Sequence, residues 1–534
     1  MAQSRTQQGE RRVLTLLFSD LVGSAELAAV LDAEDLREIY QQTREIAFAA
    51  VDRFGGKVKE YIGDGIVAYF GFPTALERGA QAAVNAGLEM VREIALRRWP
   101  LVESAGHSVR MRVGVHTGEV VIGDIGKVGG AHEPDAFVGT APIVANRLQA
   151  AAAPNSVAIS RSTFDLVRGQ FVCRELIPVA MRGVAEPLQA FEVVAPAGVK
   201  AQIDRIATRS IRPLVGRAAE LGRLQTAWQR ACAGAHPGVC VKGEAGIGKS
   251  RLMAELKANL RAAGQTQIWE FQCSPYQSNT SWFAVAETLR EQVCAFAEDE
   301  TDEEHAAKLQ AALHRAGLHD PVHLWLVSEL LGLPHAEAEL AAALAPEARK
   351  RRLMESLALL FQALSGEQAA LYDFNDAHWI DASTAEWLCY LRGRLNAGGL
   401  VTLTTRPDSP AVEPLVEGMD VVTLGGLGDA DVEALARSVA GGRILPHEIV
   451  DHIARNCSGV PLFVEEMTAA LLASGAVEER GDHYVLNDWQ PARQLPFSLR
   501  DLLQSRLDQL AIGEREVVQV CAVIGSEVTP QFVA

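Results

Sequence analysis

No stretch of this chain approaches the roughly 20 consecutive apolar residues that cross a bilayer, and a soluble protein is expected. The eight cysteines include no Cys-x-x-Cys pair, which excludes the usual spacing of a zinc site or a disulfide framework and makes a reducing cytoplasm the expected compartment. Positive charge is scarce: 50 Lys and Arg against 67 Asp and Glu give a net charge of −17. That balance excludes a chain-wide basic surface for nucleic acid, and ligands are expected to arrive with metal ions. The polar N-terminus lacks a signal-peptide core, and residues 1–11 read as a disordered lead.

The 534 residues, 48% of them hydrophobic and 22% charged, suit a globular chain of about three or four domains. Composition shifts near Ala195-Pro196-Ala197-Gly198 and Arg212-Pro213, which marks residues 196–212 as a linker. Before it, the patterning predicts a strand over 13–18, a helix over 26–54, two strands within 58–70 about Gly63-Asp64-Gly65, a helix over 74–98, strands over 109–116 and 120–124 around Thr117-Gly118, and a helix over 142–152. This β-α-β-β-α-β order predicts a ferredoxin-like α+β domain with helices on one face. Beyond the linker, apolar runs at 239–241, 369–372 and 399–405 alternate with helical segments, the pattern of a parallel α/β sheet. The chain is mostly helical by period from Asp429 and ends at Ala534 inside a periodic segment, so truncation is expected. The fold class is α/β multidomain.

Gly243-Glu244-Ala245-Gly246-Ile247-Gly248-Lys249-Ser250 fits G-x-x-x-x-G-K-[ST] between a strand and a helix. Gly243, Gly246 and Gly248 let backbone N–H groups turn inward around phosphates, Lys249 reaches the β- and γ-phosphates, and Ser250 ligates magnesium. A Mg-ATP site is expected here. In the first block, Asp20 ends a strand before a Gly-containing turn and Asp64 sits on a hairpin tip. Two such carboxylates can hold two divalent ions about 4 Å apart; the competing reading is turn chemistry alone.

Read with their neighbours, these residues carry a resemblance. Leu16-Leu17-Phe18-Ser19-Asp20-Leu21-Val22-Gly23-Ser24, Tyr61-Ile62-Gly63-Asp64-Gly65, Arg112-Val113-Gly114-Val115-His116-Thr117-Gly118 and the stretch from Gly139 to Arg147 together resemble the class III adenylyl and guanylyl cyclase domain over residues 12–195. The resemblance implies that Asp20 and Asp64 bind two Mg²⁺ or Mn²⁺ ions, that Arg147 meets the developing phosphate charge, that ATP and/or GTP is cyclised with loss of pyrophosphate, and that the site forms in a head-to-tail homodimer. Glu60 and Ala136 fall on the base-selecting positions. Glu60 is the residue type of guanylyl cyclases and can accept from guanine N1–H and N2–H₂, whereas Ala136 offers no hydrogen bond. Ile143 stands where the family has a ribose-orienting asparagine. Asn146, three residues on, is about 300° round the helix and points elsewhere. A slow or inactive cyclase is expected.

Leu214-Val215-Gly216-Arg217, the phosphate loop, Asn375-Asp376-Ala377-His378-Trp379-Ile380-Asp381, Thr404-Thr405-Arg406-Pro407 and Gly459-Val460-Pro461 resemble, in that order, the AAA-type STAND ATPases fused to bacterial cyclases. The resemblance implies an ATPase domain over 213–412, a helical lid over 413–490 and the start of a winged helix over 491–534. Asp376 would lie in the Walker B segment, Arg406 would sense the γ-phosphate and Pro461 would line the pocket. Asn375 replaces the first Walker B acid, so binding without efficient hydrolysis is expected. The whole reads as a cytoplasmic cyclase regulated by an ATP-binding module. The rivals are a non-enzymatic nucleotide switch and a transcription regulator whose DNA-binding part lies beyond Ala534.

Overall fold

The computed structural model describes residues 10–487 except 77, 124–135, 179–186, 197–212, 236–237, 265–266, 276, 279, 298–299, 335–344, 367–368 and 396–397, together with 507, 517 and 518. The chain forms two units, one within residues 1–197 and one within 198–494. The linker 196–212, apart from Pro196, and the expected winged-helix start at 491–534, apart from those three positions, lie outside the described residues.

In the first unit, β1 (Glu10–Leu21) leads through α1 (Ser24–Val30) and α2 (Ala33–Arg53) to the hairpin β2 (Lys57–Ile62) and β3 (Gly65–Phe70). Then come α3 (Gly79–Leu96), α4 (Pro100–Ser104), β4 (Met111–Gly123), β5 (Ala136–Val138), α5 (Ala141–Ala151), β6 (Ser156–Ser160), α6 (Arg161–Val167), β7 (Phe171–Glu175) and β8 (Ala190–Pro196). The described strands form one sheet in the order β2-β3-β1-β4-β6-β8-β7, with β5 on β4. The β1 strand is central and antiparallel to both neighbours. Its Leu14 and Leu16 pack with Val120, Ile122, Ala141 and Ala145, which seats α5 on the sheet.

Four sequence expectations need correction here. The strand begins at Glu10 rather than Val13, because Glu10, Arg11 and Arg12 pair with Ile122, Val121 and Val120; only residues 1–9 of the expected lead remain undescribed. The helix expected over 26–54 is two, since Leu31 is extended and the Asp32 carboxylate accepts from the N–H groups of Glu34 at 3.0 Å and Asp35 at 2.8 Å, capping α2. The helix expected from 74 starts at Gly79. Thr117-Gly118 does not interrupt a strand, because both residues continue the ladder opposite Thr15 and Leu14.

The second unit contains α7 (Ala218–Cys232), β9 (Gly238–Lys242), α8 (Lys249–Ala262), β10 (Gln267–Gln272) and α9 (Phe283–Thr288), then α10 (Asp302–Arg315), α11 (Pro321–Leu331), α12 (Pro346–Ser365), β11 (Ala370–Asn375), α13 (Ala382–Arg392) and β12 (Gly399–Thr405). It closes with α14 (Glu413–Val416), β13 (Asp420–Thr423), α15 (Asp429–Val439), α16 (His447–Cys457), α17 (Pro461–Ala473) and the hairpin β14 (Val477–Arg480) and β15 (His483–Leu486). Its sheet is parallel throughout, in the order β10-β11-β12-β9-β13. Every residue of β12 is buried, as expected of a strand covered on both faces. Phe271 stacks on Phe374 with centroids 4.4 Å apart, and both pack against the fully buried Trp387. The segment expected to be purely lid supplies the fifth strand of the sheet. Only Val422 of β13 is buried, too little apolar pattern to mark a strand.

Candidate active sites

The first site is built where β1 ends. Ser19 pairs with Ile66, so the β2–β3 turn arrives beside Asp20. A Cβ on Gly65 would lie 1.9 Å from the Ser19 carbonyl oxygen, and only glycine lets the hairpin tip approach this closely. The approach brings the two carboxylates together. Burial, then the charge of Asp64 and a hydrogen bond with it, raise the Asp20 pKa above the usual carboxylate range, while Arg112 opposes the shift. Arg112 sits opposite Asp20 in the β1–β4 register and donates from Nη2 to its Oδ2 at 3.1 Å. Gln149 Nε2, from α5, donates to the same oxygen at 3.2 Å. Asp64 Oδ2 is buried with no hydrogen-bond partner.

The α2 helix closes this corner. Burial first, then the charges of Asp64 and Asp20, raise the Tyr40 hydroxyl pKa. One turn later Arg44 Nη2 donates to the Gly63 carbonyl oxygen at 2.5 Å, and its guanidinium lies 5.1 Å from the Tyr61 ring centroid. Among the described residues no group of three or more His, Cys, Asp and Glu side chains is arranged to hold a metal. The site offers a carboxylate pair, and an adjacent buried oxygen without a partner suits a divalent cation.

The other expected residues lie apart from this pair. Arg147 is exposed on α5, about 200° round the helix from Gln149, so it points away from Asp20 of its own chain. Ile143, one turn before Arg147, is 57% exposed. Glu60 is exposed on the β2 edge strand beside a register irregularity. Ala136 opens β5, and its side chain lies outside the described residues. The Lys59 ammonium sits 5.0 Å over the ring of Phe137, the next residue. Sequence reasoning gave no role to Arg112, Gln149, Tyr40 or Arg44. Arg112 was within reach, because aligning the strands about Ser19 puts it opposite Asp20; the other three are placed by helix packing.

The second site lies at the carboxyl ends of the parallel strands. Residues 243–248 link β9 to α8, and the left-handed Gly248, φ 103°, leaves the helix start without a side-chain cap. An uncapped helix N-terminus with inward-turned amides suits phosphate. Lys249 Nζ donates to the carbonyl oxygens of Gly243 at 2.6 Å and Glu244 at 2.9 Å, and Ser250 is exposed. The Gly243 N–H donates to Thr405 O at 3.1 Å. Asp376 has a left-handed backbone, φ 53°, and its N–H donates to Thr404 Oγ1 at 2.9 Å. A strained non-glycine residue at a strand end is typical of functional positions. Pro461 opens α17 beside Gly248, and the next residue, Leu462, donates its N–H to Gly246 O at 3.2 Å. Arg406 lies 5.9 Å from the Trp379 ring centroid. Arg217 donates to Ile247 O at 3.3 Å and Gly425 O at 2.5 Å, a brace that its motif did not reveal.

Behind the loop lies a buried ion network that sequence reasoning missed. Lys257 Nζ is 2.5 Å from Glu270 Oε2 and 3.0 Å from Asp373 Oδ2, and Arg261 Nη2 is 2.9 Å from Glu270 Oε1. Burial works against the Lys257 ammonium, yet Asp373 and Glu270 hold its pKa above the ordinary value.

Residues 6–194 match the family model of the adenylate and guanylate cyclase catalytic domain, and residues 213–403 match that of the AAA ATPase domain. An uncharacterised protein of Rhizobium meliloti is 30% identical over 533 residues, covering 98% of this chain and 50% of the relative. An adenylate cyclase of Mycobacterium tuberculosis is 25% identical over 186 residues, 34% of this chain and 40% of the relative. The chain thus spans half or less of the length of these curated relatives. Among solved structures, the adenylyl cyclase CyaB of P. aeruginosa is 26% identical with a TM-score of 0.32, covering 35% of this chain and 96% of that one. The guanylate cyclase domain of RhGC from Catenaria anguillulae, solved with GTP, is 23% identical with a TM-score of 0.32, covering 35% and 99%.

Proposed function

We propose that this chain, which joins an adenylate and guanylate cyclase catalytic domain to an AAA ATPase domain, converts a purine nucleoside triphosphate slowly to its 3′,5′-cyclic nucleotide and pyrophosphate under control of ATP binding at the phosphate loop. One observation carries the reading: Asp20 and Asp64 converge, and Asp64 Oδ2 is buried and unpartnered. Two Mg²⁺ or Mn²⁺ ions bound there would lower the charge at the α-phosphate and activate the attacking 3′-oxygen. Arg112 and Gln149 fix the Asp20 carboxylate from the chain's own β4 and α5. Arg147 faces away, so it serves the aspartates of a second copy, where its donor fork meets phosphate oxygens. The homodimer is therefore part of the proposal. Ile143 brings no amide to the ribose, which costs on the order of a hundredfold in rate. Glu60 favours guanine as hydrogen-bond acceptor.

In the second unit, the amides of Gly243, Gly246 and Gly248, with Lys249 and Ser250, take the phosphates of Mg-ATP. Asp376 and Arg406 stand beside the γ-phosphate, and Pro461 borders the pocket. Lys249 must exchange its loop carbonyls for phosphate oxygens, a change of partner that ties nucleotide to loop conformation. The test is incubation of the full chain with Mn²⁺ and ATP or GTP, followed by product separation. A cyclic nucleotide is expected from wild type and none from Asp64→Ala; absence of both cyclic products at high enzyme concentration defeats the enzyme reading. A non-enzymatic nucleotide switch would then stand, favoured by the exposed Ile143 in place of an amide.

A further inference from the structure

We infer that Asp373, buried behind the phosphate loop, is a positioning residue that fixes the Asn375 amide so that its oxygen, not its nitrogen, is offered at the end of β11 where the nucleotide's magnesium would be held. The inference rests on the reading of this loop as a Mg-ATP site.

Asp373 is fully buried, and both its oxygens are engaged. Oδ1 accepts from Thr402 Oγ1 at 2.8 Å; Oδ2 accepts from Lys257 Nζ at 3.0 Å and from Asn375 Nδ2 at 3.2 Å. A carboxylate paired with an ammonium has no proton to give, so the amide must turn its NH₂ group to Asp373 and present its oxygen on the opposite side. Asn375 is half-buried at the carboxyl end of its strand, the edge at which open parallel sheets bind ligands. The next residue, Asp376, is tied to Thr404, and the following residue, Thr405, is tied to Gly243 of the loop. Lys257 lies on α8, the helix that begins at Lys249, about 12 Å further along it. One helix therefore both presents the phosphate-binding end and anchors Asp373.

Charge explains why an amide occupies position 375. Lys257 and Arg261 balance Glu270 and Asp373 one for one. Residues 373 and 375 share a face of the strand, so an aspartate at 375 would set a second carboxylate against Asp373 with no cation left to match it. The carboxylate of this strand has moved two residues inward, and the neutral amide follows from that move.

The test is calorimetric titration of the full chain with ATP, in Mg²⁺ and in EDTA, with Lys249→Ala as the blank, alongside thermal melts. Asp373→Asn should lower the affinity gain given by Mg²⁺ about tenfold or more and leave the EDTA affinity unchanged, whereas Thr402→Val, in the same buried network, should leave the gain intact. Asn375→Leu, at the half-buried strand end, should abolish the gain and stands in if Asp373→Asn does not fold. Asn375→Asp should lower Tm, and the swap Asp373→Asn/Asn375→Asp should restore Tm and enlarge the Mg²⁺ gain. Lys249-dependent binding with an unchanged Mg²⁺ gain in Asn375→Leu, or an Asn375→Asp variant as stable as wild type, overturns this inference alone. Absence of any Lys249-dependent binding overturns the nucleotide-site reading and the inference with it.

Discussion

His116 shows how one side chain links burial to pH. Its ring is buried beside Ser160, with Nδ1 2.8 Å from the hydroxyl oxygen, and burial lowers its pKa from 6.5 to about 4. The folded state therefore holds the neutral ring, and the unfolded state binds the proton first as pH falls. The stability tied to this residue is complete above pH 6.5 and lost progressively down to about pH 4, a contribution of about 3 kcal/mol. Urea unfolding from pH 7 to 4.5 should show wild type losing stability more steeply than His116→Asn; parallel losses would refute the assignment. At this scale the sequence exposed the residues whose type is their signal. Asp20, Asp64 and Lys249 stand in short motifs with glycines and need no neighbour to be noticed. Arg112 becomes meaningful only through a strand register, and Gln149 only through the packing of α5. Arg147 was legible as a residue but not in direction, because side-chain direction belongs to the helix that carries it.

Among the elements, α2 does the most for the first site. Its Arg44 fastens the carbonyl of Gly63, the residue before Asp64, and its Tyr40 lies within the field of both aspartates. Arg44→Met keeps the stem and removes the clamp, so Mn²⁺ affinity measured by titration should fall about tenfold while the melting temperature stays within a few degrees. An unchanged affinity would leave Arg44 only its packing against Tyr61. The pattern of the sequence revealed β9, β11 and β12 because strands covered on both faces are apolar throughout. It missed the break at Leu31-Asp32, where one capping side chain restarts a helix inside an otherwise continuous period. It also missed β13, whose four residues bury a single valine. Helix restarts and edge strands are decided by a few hydrogen bonds, and such bonds leave little compositional trace.

At the level of the whole molecule, the opposed directions of Gln149 and Arg147 on α5 make a sharp prediction. If Asp64 and Arg147 act together only across two copies, Asp64→Ala and Arg147→Ala chains should each be inactive alone. Mixed in equal amounts after dissociation, they should recover about a quarter of wild-type cyclase activity, since half the pairs are mixed and each holds one intact site of two. No recovery at any ratio would place both residues in one chain's site or outside it. The two-module plan was legible because each module has its own ordered motifs, and the family models match those same stretches. The pairing of copies was not, because a surface becomes a site only when its partner's geometry is known.

The grip of Lys249 on its own loop has a consequence for affinity. An ammonium already satisfied by two carbonyl oxygens has no idle attraction to spend on an incoming anion; ligand capture here is a trade of one pair of contacts for another. The observed dissociation constant is then a small remainder between two nearly matched quantities. A shift of a few tenths of an ångström in the Gly243 or Glu244 carbonyl would tip that remainder, making the loop's resting shape a tuning element as influential as any atom that touches the ligand.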